Sequence, residues 1–510
     1  MHTATTPSDP GASVLAFETQ GIDYIPDEHR GSSLWSFVRL QAGGANSLAT
    51  AVLGAFPIIL GLSVRQGAIA IVLGVCVGTC ILAPMTLFGP INGTNNAVSS
   101  SAHFGVIGRI VGSFLSLLTA ISFFAISVWS SGDALVGAAH RLGLFGESNV
   151  AFALSYGVIA LVVLLICIYG FHLMMFLAKI MVMVATALFF VGFLALWSQI
   201  DARFAGRGLH VGEPGFWPAF IAALMIALAN PISFGAFLGD WSRYLPRAIS
   251  APRLMLATLL AQLITLFPFF FGLLTASTIA RLKPEYIASG SFAGGLLAVA
   301  PKWFLLPLMA LALVSGLSTG TTSLYGTGLD FSSVFPRFSR ARATLFIGSL
   351  SIALIFLGRF AFNLTTIIST FLSLIIVMTT PWMVVMTLGY LFRRGFYRPD
   401  DLQVFNRGQR GGVYWFQHGW NIAGMSAWIV SALLGLLAVD IPGQFVGWLA
   451  MHLGGIDVSL PLAVMLPAIL YPLLLRRFPD PPEVYGPRGP RWLPLVPARS
   501  ASTSLEAGNA

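Results

Sequence analysis

Two apolar stretches carry polar residues and helix breakers where a membrane-crossing helix would ordinarily continue unbroken. The first, VRLQAGGANSLATAVLG (38–54), places two glycines beside Asn46, and the second, ALANPISFGAFLGD (227–240), contains Asn230 and Pro231. Proline lacks an N–H and breaks the helical hydrogen-bond ladder. Broken helices offer free N–H and C=O groups to a ligand or an ion, and such backbone survives in a membrane only around a cavity or inside protein. Ordinary kinks would explain either break alone, but the matched pair favours a binding site.

One carboxylate, Asp133, lies inside a further apolar stretch, 110–139. A charge at membrane depth is costly, so such a residue is a functional candidate. It could carry a proton or bind a basic group of a substrate. It could equally lie near the end of its helix, solvated or paired with Arg141. The sequence leaves both interpretations open.

Hydroxyl groups are concentrated in VSGLSTGTTS (314–323). Hydroxyl and carbonyl oxygens suit a hard cation, but hydroxyls also bridge membrane helices, and spacing alone favours that bridging role. The same stretch contains GLSTG, which satisfies the nucleophile-elbow pattern. Because it lies inside an apolar helix with no histidine nearby, we exclude a hydrolase site there.

The elements that must position these residues are membrane-spanning helices. The chain has 510 residues, of which 56% are hydrophobic and only 9% are charged, and its mean hydropathy is +0.83. Soluble proteins carry about 25% charged residues. The composition therefore excludes a soluble globular protein. Three cysteines form neither a disulfide framework nor a metal set.

Twelve segments are apolar and long enough to cross a bilayer, which takes roughly 20 helical residues. They are spans 1–12, predicted at 37–62, 67–88, 110–139, 152–171, 173–197, 217–239, 254–280, 303–327, 343–359, 363–391, 421–440 and 457–475. An even number puts both termini on one side, where 20 of the 28 Lys and Arg residues then fall. The positive-inside rule thus predicts a multi-pass protein of the cell (plasma or inner) membrane with cytoplasmic termini. The same distribution accounts for the basic charge without a nucleic-acid partner.

The interruptions fall in spans 1 and 6, which suggests two halves of five spans each. The predicted organisation is all-α: an N-terminal cytoplasmic tail, a first repeat, a second repeat, two additional spans and a C-terminal cytoplasmic tail, with boundaries at 1–35, 36–197, 217–391, 420–475 and 476–510. Since five is odd, the second repeat would be inverted relative to the first.

Four motifs resemble the nucleobase–cation symporter-1 family, particularly its purine–cytosine permease-like branch. They are TLFGPINGTNN after span 2, FGAFLGDWSRYLP closing span 6, TTPWMVVMTLGYLFRRGFY closing span 10 and GVYWFQHGWNIAGMSAWIVSALLGLL leading into span 11. The resemblance covers roughly residues 20–485. It implies the leucine-transporter fold, with ten core helices in two inverted repeats and two added helices. It also implies transport of a nucleobase or related flat heterocycle with Na⁺ or H⁺.

A flat base needs aromatic faces for stacking and a few polar groups at its rim. The substrate-binding residues that the resemblance implies are Asn46, Phe123, Ser127, Ser233, Phe234 and, in place of a family amide on span 8, Thr322 or Ser323. Phe123 stands where the family often has tryptophan, and Ser127 where it often has an amide, so the exact substrate stays open. A register shift of six residues would make Trp129 and Asp133 the span 3 contacts instead.

The resemblance implies a sodium site between spans 1 and 8. Its ligands would be the carbonyls of Ala42, Ala45 and Ser315 and the hydroxyls of Ser318 and Thr319. Sodium or proton coupling is left open. Asp240 and Arg243, at the end of span 6, are predicted as a structural or gating ion pair, and Asp133 joins them as a candidate for gating or proton coupling. His103 and Asp330 could belong to the same gate.

The sequence therefore predicts a transporter, not an enzyme, that imports a cytosine- or purine-like heterocycle by cation symport with alternating access. A carrier of allantoin, hydantoin, a vitamin ring or an amino acid on the same fold is the alternative. A membrane-embedded enzyme or a sensor is remote, because Asp133 alone is titratable at membrane depth and tails of about 35 residues are too short for an output domain. The expected partners are the heterocycle, the coupling cation and the lipid bilayer, with no cofactor and no obligate protein partner evident.

Overall fold

The computed structural model describes residues 21–361, 364–441 and 444–493, and within them the chain is almost entirely helical. Every predicted span corresponds to a helix or a helix pair. In chain order these are Leu34–Ala45 with Leu48–Ile59, Val64–Asn92, Ile110–Arg141, Asn149–Tyr169, Phe171–Gln199, Phe216–Ser242, Ala251–Leu282, Lys302–Val334, Arg340–Phe360, Thr370–Phe392, Ile422–Leu436 and Ser459–Arg477. The outermost parts of the predicted tails, 1–20 and 494–510, lie outside the described residues.

Ten of these helices are long and apolar enough to cross a membrane, and the bent pair of span 1 makes an eleventh. Span 11 is an apolar helix of 15 residues, Ile422–Leu436. The described residues are therefore consistent with twelve spans, with span 11 the shortest.

Shorter elements connect the spans. They are the helices Asn96–Ser99, Ser101–Phe104, Pro284–Ala288, Phe292–Val299, Pro399–Leu402 and Trp448–His452, and the antiparallel strands Asp440–Ile441 and Phe445–Val446. We call the end of the bundle that carries residues 21–30 and 478–493 the terminal side. On this side the Arg30 guanidinium donates to the Pro90 carbonyl at 2.7 Å. The end that carries the two strands is the opposite side.

Span 1 is broken where the sequence predicts. Its first half ends at Ala45 and its second begins at Leu48, with a 56° bend between them. A Cβ on Gly44 would lie 2.8 Å from the Thr322 hydroxyl. Glycine is therefore needed at this position for span 8 to approach the break.

Span 6 is broken slightly later than predicted. The helix Phe216–Ser233 continues through Pro231, and the interruption is the turn at 234–237, before the short helix Leu238–Ser242. The interruption thus lies inside the predicted segment 227–240, and the backbone at Asn230 and Pro231 stays helical. Span 12 likewise continues as one helix through Pro467 and Pro472, and membrane helices tolerate proline where other groups satisfy the freed backbone.

The packing of the spans is reciprocal. Span 1 packs on span 7 and span 6 on span 2, while spans 3 and 8, two of the longest, pack along each other. If each span is replaced by its counterpart five spans away, the pair of spans 1 and 7 becomes the pair of spans 6 and 2, and spans 3 and 8 exchange places. Two repeats of five spans require this symmetry. The exact repeat boundaries stay a prediction. Span 1 also packs on spans 3 and 8, and the residues around the break in span 6 line a cavity together with these three spans.

Candidate functional site

A small cavity lies where the two broken helices meet spans 3 and 8. We call it the central cavity. It is lined by Gly44, Ser47, Ala49 and Thr50 of span 1, Phe123 of span 3, Asn230, Ser233, Phe234 and Phe237 of span 6, and Thr319, Thr322 and Ser323 of span 8. Four of the predicted substrate residues, Phe123, Ser233, Phe234 and Thr322, thus line one cavity together.

The central cavity is nearly closed in this conformation. Its free volume is about 10 Å³, which is room for about one water molecule. A heterocyclic ring does not fit unless the walls separate. The residues are therefore assembled as in a closed state of the site.

The aromatic walls of the cavity are supported from behind. Phe234 and Phe237 lie 5.5 Å apart, and the Trp241 ring packs edge-on against both, at 5.8 and 5.5 Å between ring centroids. On span 3, Phe123 makes a T-shaped contact with Phe371 at 5.9 Å. These contacts hold the rings at the cavity while leaving them available for stacking on a flat ligand.

Two buried polar groups at the cavity have no hydrogen-bond partner among the described residues. They are the amide Nδ2 of Asn230, which is 2% exposed, and the hydroxyl of Ser47, which is 1% exposed. Buried polar groups are nearly always paired, so an orphan at a cavity is the expected mark of a ligand contact. Neither was singled out as a ligand residue from the sequence. The signal was available, because both belong to the interruptions.

Two other predicted substrate residues lie outside this lining. The Asn46 amide donates to the Thr186 hydroxyl of span 5 at 2.8 Å, and the Ser127 hydroxyl donates to the Phe124 carbonyl at 2.8 Å. Trp129, the register-shift alternative, donates to the Ile355 carbonyl of span 9 at 3.0 Å. The structure therefore brings Phe123, in the unshifted register, to the cavity. The roles of Asn46 and Ser127 stay predictions.

The predicted cation ligands converge at the contact between spans 1 and 8. The Ser318 and Thr319 hydroxyls donate to the Gly43 and Gly44 carbonyls at 2.9 and 2.8 Å. The Ser315 hydroxyl accepts from the Leu48 N–H at 3.1 Å. The carbonyls of Ala42 and Ala45 accept from the Asn46 N–H at 2.8 Å and the Thr50 hydroxyl at 2.5 Å. All the predicted ligand atoms are oxygens, which suits a hard cation.

A second cavity, much larger than the central one, lies toward the opposite side of the bundle. We call it the opposite-side cavity. Its volume is about 370 Å³, and its lining includes Phe56 of span 1, Ile126, Ser130 and Asp133 of span 3, and Arg359 of span 9. Phe123, Ile126, Ser130 and Asp133 are spaced three or four residues apart, so they follow one face of span 3 from the central cavity outward.

Asp133 is paired at this cavity, but not with Arg141. Its carboxylate accepts from the Tyr156 hydroxyl and lies 3.7 Å from the Arg359 guanidinium, which donates to the same hydroxyl at 2.8 Å. Arg141 donates instead to the Ala300 carbonyl. The interpretation that pairs Asp133 with Arg141 is therefore wrong, since span 9 brings a nearer guanidinium.

The terminal side holds buried charges. Asp240, Arg243 and Asp330 are fully buried, and Asp330 interacts electrostatically with both of the others. His103 lies elsewhere, against the Tyr397 hydroxyl at 3.0 Å. Its burial, with the positive charge of Arg393, lowers the pKa of His103 well below 6.5.

Comparisons with known proteins identify a family for this chain. The family model for permeases for cytosine/purines, uracil, thiamine and allantoin matches residues 24–457. The chain is 24% identical over 476 residues to the Bacillus subtilis (strain 168) protein named as a purine-cytosine permease, YxlA, covering 91% of this chain and 96% of that one. It is also 24% identical over 341 residues to the vitamin B6 transporter TPN1 of Saccharomyces cerevisiae, covering 63% and 56%.

Solved structures share the fold. Mhp1, a nucleobase-cation-symport-1 family transporter in a closed conformation with bromovinylhydantoin bound, gives a TM-score of 0.69 at 17% identity, covering 93% of this chain and 98% of that one. A Na⁺-coupled sialic acid symporter in an outward-open state gives 0.57 at 16% identity, covering 88% and 91%. The predicted leucine-transporter-like fold is confirmed.

Proposed function

This chain belongs to the family of permeases for cytosine/purines, uracil, thiamine and allantoin, and from that premise we propose that it imports a cytosine- or purine-like base by cation symport. Membership in a family of permeases confirms that it is a membrane transporter and not an enzyme. The observation that carries the proposal is the central cavity, which is lined by three phenylalanine rings and by two polar groups without a hydrogen-bond partner among the described residues.

The cavity matches the chemistry of a nucleobase. A base presents two π-faces and an edge of alternating donors and acceptors. Phe123 and Phe234 would stack on the faces, and stacking is worth about 1–3 kcal/mol per base in nucleic-acid systems. The Asn230 amide and the Ser47 hydroxyl would bond to the edge, with Ser233 and Thr322 beside them.

The route by which a ligand would reach the central cavity follows one face of span 3. From the opposite-side cavity, a ligand would pass Ser130 and Ile126 to reach Phe123. Movement of spans 1 and 6 against spans 3, 4, 8 and 9 would widen the central cavity first toward one side and then toward the other. Asp133, Asp240 and Arg243 are the charged residues best placed to act in gating or proton coupling.

Orientation follows from charge. Because most Lys and Arg residues lie on the terminal side, this side would be cytoplasmic in a plasma or inner membrane. Import then runs from the opposite-side cavity toward the terminal side.

A coupling cation would bind beside the substrate. A hydroxyl keeps lone pairs while it donates, so Ser318 and Thr319 could ligate Na⁺ together with the carbonyls of Ala42, Ala45 and Ser315. Thr319 also lines the central cavity. A cation at this junction would therefore stabilise the same wall that the substrate contacts.

A carrier of another flat ring is the second candidate. The structure of Mhp1 contains a hydantoin, and TPN1 is a vitamin B6 transporter. The departure of Phe123 from the family's tryptophan is the feature that favours a ring other than cytosine. Competition by unlabelled hydantoins, allantoin and pyridoxine against labelled cytosine in proteoliposomes separates these substrates.

The decisive test is Phe234→Ala. Loss of one stacking face should reduce the apparent affinity for labelled cytosine, or for the best competitor, about tenfold or more. Phe190→Ala is the matched control, because Phe190 is 57% exposed on span 5. Uptake by Phe234→Ala within about twofold of the control, at equal protein in the membrane, would contradict the stacking role.

A further inference from the structure

Two carboxylates from different spans share one buried pocket on the terminal side. Asp240 belongs to the short helix that ends span 6, and Asp330 belongs to span 8; both are 0% exposed. An oxygen of each lies close to Gly326, at 2.7 and 3.7 Å from the position that a Cβ would occupy there. Glycine at 326 thus leaves the space in which the two carboxylates approach each other.

The pocket holds more negative than positive charge. Asp330 interacts electrostatically with Asp240 and with one guanidinium, that of Arg243. Two further cations lie near this end of span 8, but Arg109 donates to the Ser333 carbonyl at 2.5 Å and Arg340 to the Cys167 carbonyl at 3.0 Å. Two carboxylates against one guanidinium leave one negative charge in excess.

Asp330 has an open position for a proton. The Ser116 hydroxyl donates to its Oδ2, while its Oδ1 has no hydrogen-bond partner among the described residues. A buried charge without compensation costs several kcal/mol, and two neighbouring carboxylates in a dry site do not both ionise. One bound proton removes the excess charge.

We propose that Asp240 of span 6 and Asp330 of span 8 form a proton-binding site, in which the two carboxylates together hold one exchangeable proton. When the site releases it, the O–H bond breaks, the electron pair stays on the carboxylate, and the proton passes to water on the terminal side. The pair is then doubly negative against Arg243. Repulsion favours separation of span 6 from span 8 and entry of water.

The pocket adjoins the central cavity. Phe237 lines that cavity, and its Cβ lies 3.6 Å from the position that a Cβ on residue 326 would occupy. A ligand that displaces Phe237 therefore acts on the segment that carries Asp240. The role of the proton in coupling rests on the proposed transport function, whereas its presence does not.

Proton binding can be tested without substrate, by infrared spectroscopy of the full-length protein in lipid. At neutral pH the wild type should show the carbonyl band of a protonated carboxylic acid. That band should be lost in Asp330→Asn or Asp240→Asn and retained in Asp440→Asn, whose carboxylate lies in the strand pair of the opposite side. Absence of the band in the wild type, or its persistence in both pocket variants, would overturn the proposal.

Transport supplies the second measurement. With an inward proton gradient, accumulation of labelled base should fall at least tenfold in Asp330→Asn while exchange without a gradient persists. Accumulation by Asp330→Asn that equals that of Asp440→Asn would overturn the coupling role. A carboxylic-acid band in a protein that takes up no heterocycle would instead count against the proposed function and leave the proton site standing.

Discussion

On the opposite side, Asp133 and Arg359 border a cavity of about 370 Å³ and their side chains are 23% and 33% exposed. On the terminal side, the side chains of the Arg393–Asp480 pair are 1% and 3% exposed, and Asp240 and Asp330 are buried completely. Both sides place acidic residues near arginines. They differ in access to water and in the balance of charge.

That difference decides what each cluster can do. Next to water, the attraction between a carboxylate and a guanidinium is weak because solvent screens it. In a dry interior, an ion pair is costly to break and an excess carboxylate takes up a proton. The opposite side is therefore suited to the passage of a ligand, and the terminal side to a closed, charge-sensitive seal.

The largest expected effect is at the buried pair. Arg393 donates to Asp480 at 2.8 Å, and Asn421 donates to the same carboxylate at 2.8 Å. Asp480→Ala leaves a buried guanidinium without its partner, so the free energy of unfolding should fall by about 3–5 kcal/mol in denaturant titrations in detergent. Asp400→Ala, which breaks a pair whose side chains are 48% and 90% exposed, should change it by less than about 0.5 kcal/mol. Equal effects of the two variants would remove the contrast between buried and exposed pairs.

A pH-dependent effect comes next, at His103. The lowered pKa keeps this histidine neutral in the folded protein, whereas an unfolded histidine titrates near 6.5. As pH falls below about 6.5, the unfolded state binds a proton that the folded state does not. The free energy of unfolding should then fall by up to about 1.4 kcal/mol per pH unit from this residue.

His103→Gln should flatten the acid limb of the stability curve by that amount. His418→Gln, at an exposed position, serves as the control and should leave the slope unchanged. An unaltered slope in His103→Gln would mean that the imidazole gains its proton in the folded state as well.

The smallest effect should be at the partly exposed pair. Asp133→Asn removes a charge that lies 3.7 Å from Arg359 beside the opposite-side cavity. Since such pairs contribute about 1 kcal/mol or less, the free energy of unfolding should change by no more than this. A loss of about 3 kcal/mol would show that water does not reach the pair, and the comparison of the two sides would fail.

Much of the fold could be predicted from the sequence, because the hydropathy of a 20-residue window is a local property. All twelve predicted spans correspond to helices, and the break in span 1 lies at Asn46 as expected. The break in span 6 lies inside the predicted segment, at 234–237, although the helix itself continues through Pro231. The local sequence predicts which segment of a helix is weak, but the residues at which the helix is interrupted depend on the rest of the structure.

The sequence by itself determined that lipid surrounds this protein, where its apolar helices lie, the family resemblance and the two interruptions that surround its cavity. Only the tertiary structure decided which polar atoms face that cavity. The Asn46 amide donates to Thr186 away from the cavity, whereas Asn230 lines it with an Nδ2 that has no hydrogen-bond partner among the described residues. The rotation of a half-helix, which sets this difference, depends on all the helices around it. The sequence offered Asp330 only as a possible member of the gate of Asp240 and Arg243. The structure places both carboxylates beside Gly326, across 90 positions of sequence, since such proximity arises from the packing of spans 6 and 8.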